Sequence, residues 1–181
     1  MHLSVNTDTV DVYEIAVRSA KAAADKVHVI VAPRIPYGHS ENHMDFPGTI
    51  TLSQNTLIST VVEVCKSIHH HGFKRILILN GHGGNSVPLH VATNQVRAET
   101  DLFVVLADYW ALASEKISEV RESATGGINH GCELETSLQL VLQPELVHMD
   151  KAQKVIPKHT EYVVRDIIGP KKVYSPGWTW M

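Results

Sequence analysis

The chain has 181 residues, a length that suits one domain with a substantial hydrophobic core. Its hydrophobic content of 44% and net charge of −3 are ordinary, and they give no electrostatic case for binding nucleic acid or an anionic membrane. No apolar stretch approaches the ~20 residues of a membrane span, and Met1–Ser4 does not begin a signal peptide. The two cysteines do not indicate a disulfide framework, so we expect a cytoplasmic protein.

Predicted helices and strands alternate along the chain. In order, they are a helix at 7–26, strands at 27–32 and 48–52, a helix at 55–71, a strand at 75–79, a helix at 85–98, a strand at 102–107, and helices ending near 122 and at 142. Thr7 or Asp8 is the expected cap of the first helix, and Gly72 ends the second. This alternation predicts an α/β fold whose parallel sheet is covered on both faces, followed by an irregular tail from Gln143.

The sequence NGHGGN at residues 80–85 follows the apolar run Ile76–Leu79. The run is typical of a strand buried on both faces. We expect the glycines to turn the backbone with positive φ and Asn85 to cap the next helix. His82 would then lie at the carboxyl end of a parallel strand, where open α/β sheets bind ligands. His82 is therefore a candidate metal ligand or catalytic base, although it could also only bond to local backbone groups.

Two other segments carry residues suited to the same chemistry. Asp8 stands at the start of the first helix, where it could also act only as a cap. His130 and Glu135 flank the start of the last predicted helix, and Glu133 and Glu135 could instead be first-turn residues favoured by the helix dipole. Together with His82, the residues Asp8, Glu135 and His130 form a mixed nitrogen and oxygen donor set that suits Zn²⁺ or Mn²⁺.

Four segments together resemble the creatininase family of metal-dependent amidohydrolases. They are HLSVNTDT at 2–9, YGHSENHMDFPGT at 37–49, NGHGGN at 80–85 and HGCELETS at 130–137. They follow the family's order and roughly its spacing, and they span most of the chain. The resemblance implies one creatininase-like domain over residues 1–181, with three α/β/α layers and a mostly parallel sheet. It also implies assembly into a homo-oligomer, often a hexamer.

The resemblance assigns metal-binding roles to three residues. Asp8 matches the carboxylate that bridges two divalent ions, Zn or Mn, while His82 and Glu135 match ligands of one ion each. Two such ions lower the pKa of a water toward ~7 and polarise an amide carbonyl. The implied reaction is hydrolysis of a C–N bond in a cyclic amide or formamide through this activated water.

Other positions match the family's catalytic and substrate-binding residues. His130 matches the histidine that transfers a proton to the leaving nitrogen, and Ser40 and Trp110 match positions near the small-molecule substrate. Creatinine-hydrolysing members carry bulky residues after the histidine of the turn and a tryptophan four residues before the catalytic histidine. This chain has Gly83–Gly84 and Gly126 there. The resemblance therefore favours an amide other than creatinine.

One motif of the family is absent from the chain. The family carries Glu-x-His-Gly upstream of the bridging aspartate, where it supplies one ligand to each ion, and this chain begins at Met1, too close to Asp8 to include it. We therefore expect a chain trimmed at both ends, lacking the first strand of the family domain, with His2, His39 or His43 as possible replacement ligands. The alternative function is a non-catalytic remnant or interaction module that retains the scaffold. A nucleotide-binding loop is disfavoured, because the turn lacks both the GxGxxG spacing and the P-loop lysine.

Overall fold

The computed structural model describes residues 1–155, which divide into two compact units. One unit comprises residues 8–109, and the described part of the other comprises residues 1–7 and 110–155. The helices and strands are α1 (Thr7–Ala22), α2 (Gln54–His70), β1 (Arg75–Asn80), α3 (Ser86–Glu99), β2 (Phe103–Asp108), α4 (Tyr109–Leu112), α5 (Ser114–Val120) and α6 (Glu133–Leu142). No helix among the described residues has the length and apolar character needed to cross a bilayer. The end of the predicted tail, beyond residue 155, lies outside the described residues.

The core of the unit at 8–109 lies between α2, α3 and β2. Helix α2 begins at the cap Ser53, whose hydroxyl accepts a hydrogen bond from Thr56 N at 3.2 Å, and it ends before Gly72 at φ 93°. Only glycine adopts that φ without strain, so the predicted helix end at Gly72 is confirmed. The buried apolar side chains that form this core are Leu57, Val61, Val62, Cys65, Leu89, Ala92, Val96, Leu102 and Val104.

Strands β1 and β2 pair in parallel, as the alternation of helices and strands predicts. Their register runs from Arg75 opposite Phe103 to Asn80 opposite Asp108. Ile76 and Ile78 pack against the core, whereas Leu77 on the other face is 58% exposed and Phe103 is 66% exposed. The prediction that β1 is buried on both faces is therefore wrong. A continuous apolar run does not by itself say how many faces of a strand are covered.

Two predicted strands do not form. Residues 27–32 have no strand partner, and Ile30 in this segment is 76% exposed. Residues 48–52 contribute only a single parallel bridge, from Thr51 to Gly38. Both predictions are wrong because a strand is stabilised by its neighbours, so β-branched composition without a paired ladder does not produce one.

The predicted helix boundaries also need correction. Helix α1 begins at Thr7, so the proposed caps Thr7 and Asp8 lie inside its first turn, and it ends at Ala22. The helix expected to end near residue 122 is divided into α4 and α5, and α6 begins only at Glu133. Between α5 and α6, Gly126 and Gly131 adopt φ values of 96° and 55°, which a helix cannot accommodate.

The turn after β1 depends on its glycines for close packing and not for positive φ. Gly81, Gly83 and Gly84 are absent from the positive-φ glycines of the described residues, which are Gly48, Gly72, Gly126 and Gly131. Instead, a Cβ on Gly81 would lie 2.8 Å from the Asp8 carbonyl oxygen, and one on Gly84 would lie 2.7 Å from His82 Nε2. Gly83 has open space around it. The prediction of positive φ is therefore wrong. Gly81 and Gly84 are needed because there is no space for a Cβ at either position.

Helix α3 offers a matched test of the core. We expect Val96→Ala to lower the free energy of unfolding by about 2 kcal/mol, because Val96 is fully buried and the change leaves a cavity. Val91→Ala is the control, since Val91 is 48% exposed on the same helix. We expect it to change stability by less than about 0.5 kcal/mol. Equal effects in urea denaturation would contradict the described packing of α3.

The turn glycines offer a second matched test. Gly84→Ala should destabilise the fold by about 1–3 kcal/mol and move the His82 ring, because the new methyl group overlaps both the ring and the His39 carbonyl oxygen. Gly83→Ala should leave thermal stability nearly unchanged, because nothing lies within 4 Å of its Cβ position. Thermal melts and the NMR signals of His82 would measure both effects. Equal tolerance of the two substitutions would count against the close packing at Gly84.

Candidate metal centre

The structure brings together Asp8 and His82, which the sequence proposes as metal ligands. Asp8 lies in the first turn of α1, and His82 is the second residue after β1. Asp8 Oδ2 lies 2.8 Å from His82 Nδ1, and both side chains are partly buried. At this distance the imidazole donates a hydrogen bond from Nδ1 to the carboxylate when Nδ1 carries a proton. A carboxylate oxygen and an imidazole nitrogen, both of which can bind a metal ion, therefore lie next to each other in the unit at 8–109.

Ser40 lies on the opposite side of the His82 ring. Its hydroxyl is 3.4 Å from His82 Nε2, and its backbone N–H donates to Thr51 Oγ1 at 2.8 Å. The His43 ring is also close, with its centroid 5.3 Å from that of His82. Both ring nitrogens of His82 thus face a polar side chain. A histidine held at both nitrogens has a fixed ring orientation, which suits a ligand or a base.

The three possible replacement ligands occupy different surroundings. His43 is the one whose ring contacts that of His82. His39 Nδ1 lies 3.1 Å from the Leu52 carbonyl oxygen. His2 Nε2 lies 2.8 Å from Thr136 Oγ1, within the other compact unit.

Glu135 closes the first turn of α6. Its Oε2 accepts a hydrogen bond from the backbone N–H of Cys132 at 2.9 Å, which is half of a capping box at the helix start. Glu135 therefore has a structural role whether or not it also binds a metal ion. The first-turn alternative raised from the sequence describes this contact correctly.

Glu133 anchors the loop between α5 and α6. Its two carboxylate oxygens accept hydrogen bonds from Glu122 N at 2.7 Å and Ser123 N at 2.9 Å. Burial alone would raise the pKa of Glu133, but these backbone hydrogen bonds, together with the Ser123 side chain and the positive charge of Arg121, hold the pKa below its ordinary value. Because its ionised carboxylate accepts hydrogen bonds from the loop backbone, Glu133 stabilises this loop.

His130 and Cys132 stand on either side of Gly131 in the same segment. His130 is exposed, whereas Cys132 is buried. Burial, with the nearby negative charge of Glu135, raises the pKa of the Cys132 thiol to about 12. Because the thiolate is the nucleophilic form, Cys132 without a bound metal ion is unsuited to act as a nucleophile at neutral pH.

The proposed site residues are divided between the two compact units. Asp8, Ser40 and His82 belong to the unit at 8–109, whereas His130 and Glu135 belong to the other, which also contains the buried Trp110. Among residues 1–155, no group of three or more histidine, cysteine, aspartate or glutamate side chains converges to hold an ion. Among the described residues, Asp8 and His82 are of types that bind divalent cations, but they bring together two ligands without a third. The roles of Glu135, His130, Ser40 and Trp110 stay predictions.

Several polar residues that hold the backbone of His82 were not predicted from the sequence. Asn80, at the end of β1, is 2% exposed and donates a hydrogen bond to Asp108 Oδ1, at the end of β2, at 2.7 Å. Asn85 occupies the predicted N-cap position of α3, but its side chain makes no capping hydrogen bond and instead accepts one from His39 N at 2.8 Å. Polar residues ending two adjacent parallel strands are a signal that could have identified Asn80 and Asp108.

Comparison with known proteins identifies close structural and sequence relatives. The family model for creatininase, described as creatinine amidohydrolase, matches residues 1–180. Creatinine amidohydrolase from Pseudomonas putida is 30% identical over 167 residues, covering 83% of this chain and 62% of the relative. A mycofactocin precursor peptide peptidase from Mycobacterium ulcerans is 32% identical over 159 residues, covering 83% of this chain and 56% of the relative. The chain thus spans about three fifths of the length of these relatives.

Solved structures agree with the sequence relatives. A structure described as creatininase Mn aligns with a TM-score of 0.74 at 28% identity, covering 90% of this chain and 68% of the other. A Zn–Zn type creatininase with a glutamate-to-glutamine mutation aligns with a TM-score of 0.72 at 29% identity, over 90% and 68% of the two chains. These likenesses confirm the predicted α/β, creatininase-like fold class. With the family model matching nearly its whole length, the chain belongs to the creatininase family.

Proposed function

We propose that this chain carries the reaction centre of a metal-dependent amidohydrolase of creatininase type. It would hydrolyse a C–N bond of a cyclic amide or formamide, giving a carboxylic acid and an amine. The observation that carries the proposal is the 2.8 Å contact between Asp8 and His82, two residues 74 positions apart that fall in separate family motifs. The metal-bound forms of two neighbouring structures support a divalent cofactor, Zn or Mn.

Asp8, His82 and Glu135 are the residues that would hold the metal ions. The aspartate and histidine are adjacent in the unit at 8–109, and their oxygen and nitrogen donors match the preferences of Zn²⁺ and Mn²⁺. The bound ions would supply Lewis acidity, which lowers the pKa of a water and polarises the substrate carbonyl. In a family site with two ions, Asp8 would contact both.

The remaining proposed residues handle the proton and the substrate. His130 is exposed and so open to proton exchange, and it would protonate the departing nitrogen, without which C–N cleavage is slow. Ser40 would orient the substrate beside His82. Trp110 would supply an apolar wall for the small-molecule amide. Each of these assignments comes from a matched family position.

Creatinine is not the substrate that we propose. Gly126 adopts φ 96°, so a tryptophan at this position would be strained, and the backbone here suits glycine. At Gly84 a larger side chain would overlap the His39 carbonyl oxygen and the His82 ring. Both positions hold larger residues in creatinine-hydrolysing members. A mycofactocin precursor peptide peptidase is among the relatives, so peptides are a second substrate class to test.

The alternative function is a non-catalytic or interaction module that retains the scaffold. One observation favours it, namely that residues 1–155 contain no converging group of three or more metal-binding side chains. Homo-oligomer formation, with a hexamer as the family form, and a cytoplasmic location stay predictions for either function.

Metal binding separates these two functions. If Asp8 and His82 hold an ion, Zn²⁺ or Mn²⁺ at 100 times its dissociation constant should stabilise the native chain by about 2.7 kcal/mol. His82→Ala should abolish this shift. His90→Ala is the matched control, because His90 is an exposed histidine on α3 and should leave the shift intact. Melting curves that do not respond to saturating metal would refute the amidohydrolase proposal for this chain and favour the alternative.

Glu135→Gln separates the capping role of Glu135 from its proposed metal-binding role. A glutamine oxygen can still accept the hydrogen bond from Cys132 N, so metal-free stability should change by less than about 1 kcal/mol. Loss of the anionic ligand should weaken Zn²⁺ binding measured by calorimetry. Glu133→Gln removes the same charge two residues away and should weaken binding much less. Unchanged Zn²⁺ affinity in Glu135→Gln would show that Glu135 is only a cap.

A further inference from the structure

The side chain of a buried asparagine, Asn80, binds the backbone of His82, whose carbonyl oxygen also accepts a hydrogen bond from Asn85 N at 3.0 Å. Asn80 Oδ1 accepts a hydrogen bond from His82 N at 3.1 Å, and Asn80 Nδ2 donates one to the His82 carbonyl oxygen at 2.9 Å. The same amide group therefore binds both backbone polar groups of His82. This contact fixes the backbone of His82 at φ −138° and ψ 126°, and with it the direction in which the imidazole leaves the chain.

Asn80 is itself fixed by the neighbouring strand. Its Nδ2 group also donates to Asp108 Oδ1 at 2.7 Å, and Asn80 and Asp108 are partners in the register of β1 and β2. An amide nitrogen has two hydrogens, and the two shortest contacts, to Asp108 and to the His82 carbonyl, use both. Asn80 is 2% exposed, so its amide depends on these partners and on the Ser86 hydroxyl, 3.3 Å from Nδ2, for its hydrogen bonds. The strand ends therefore determine the geometry at His82.

A second asparagine connects this turn to the loop that carries Ser40. Asn85 Oδ1 accepts a hydrogen bond from His39 N at 2.8 Å, and Asn85 Nδ2 donates to Asn80 Oδ1 at 3.4 Å. The approach is close enough that a Cβ on Gly38 would lie 2.5 Å from Asn85 Oδ1. Residues 38–40 are thereby held against the turn, and Ser40 Oγ comes within 3.4 Å of His82 Nε2.

We infer that Asn80 and Asn85 are positioning residues with separate tasks, Asn80 directing His82 Nδ1 toward Asp8 and Asn85 placing Ser40 against His82 Nε2. Neither asparagine side chain hydrogen-bonds to Asp8 or to the imidazole ring, so each acts through another residue. The inference rests on the proposed function only where it treats His82 as a metal ligand. The positioning of the His82 ring by the two asparagines does not depend on that function.

Nitrogen NMR of the His82 ring tests the role of Asn85 in the 181-residue chain. At one fixed pH, Asn85→Ala should shift the Nε2 signal in the same direction as Ser40→Ala. It should change the Nδ1 signal much less, because Asn80 loses only the 3.4 Å bond from Asn85 Nδ2 and keeps its bonds to the His82 backbone. Asn85→Asp retains the oxygen that accepts from His39 N but loses the Nδ2 donor to Asn80 Oδ1, so it should move the Nε2 signal back toward its wild-type position. Asn94→Ala, an exposed asparagine on α3, is the control and should change neither signal. An unchanged Nε2 signal in Asn85→Ala, or an equal shift in Asn85→Asp, would overturn the role of Asn85.

Zinc calorimetry tests the role of Asn80. Asn80→Ala should raise the dissociation constant for Zn²⁺ by about 10- to 100-fold, the usual effect of removing a residue that orients a ligand. Asn85→Ala should leave it within about threefold of wild type. Wild-type affinity in Asn80→Ala would overturn the role of Asn80. Absence of Zn²⁺ binding by the wild-type chain would instead refute the proposed function, and the NMR comparison of Asn85 would still test the positioning inference.

Discussion

The close approach of α1 to the turn at Gly81 is the constraint on which the candidate centre depends. A side chain at position 81 would collide with the Asp8 carbonyl oxygen and with Val12 Cβ, each 2.8 Å from the Cβ position. Because Gly81 has no side chain, the first turn of α1 reaches the end of β1, and Asp8 meets His82. The contact between Asp8 and His82, which are far apart in sequence, therefore requires a residue without a Cβ at position 81.

Several elements of this structure are predictable because their signals are local. Helix α2 follows from its apolar spacing and the glycine that ends it, and the pairing of β1 with β2 follows from alternation with helices. The segment at 27–32 has the same β-branched character, but it lacks a paired neighbour and forms no strand. Strand formation is decided by partners that composition does not reveal.

The residues of the candidate centre also differ in how readily the sequence identifies them. His82 and Asp8 are identifiable from residue type and from motif, and the structure places them in contact. The asparagines behind them are harder to identify, because side-chain amides that bond to backbone groups leave no periodic pattern. Asn85 illustrates the problem, since an asparagine before a helix usually predicts a cap, and here it binds the backbone of another loop.

In Glu135 a structural role coincides with a proposed chemical role. Glu135 closes the first turn of α6 while standing at a proposed ligand position, and Glu133 nearby serves the loop between α5 and α6. A carboxylate that caps a helix is already fixed in place, so binding a metal ion would cost it little further side-chain entropy. This overlap explains why motif residues and helix-capping residues cannot be separated by residue type alone.

Anomalous diffraction from crystals of the 181-residue chain grown with Mn²⁺ tests metal binding at Asp8 and His82 most directly. We expect a manganese peak within bonding distance of both the Asp8 carboxylate and the His82 imidazole. A map without a peak at this pair, or with manganese bound only elsewhere on the chain, would contradict it.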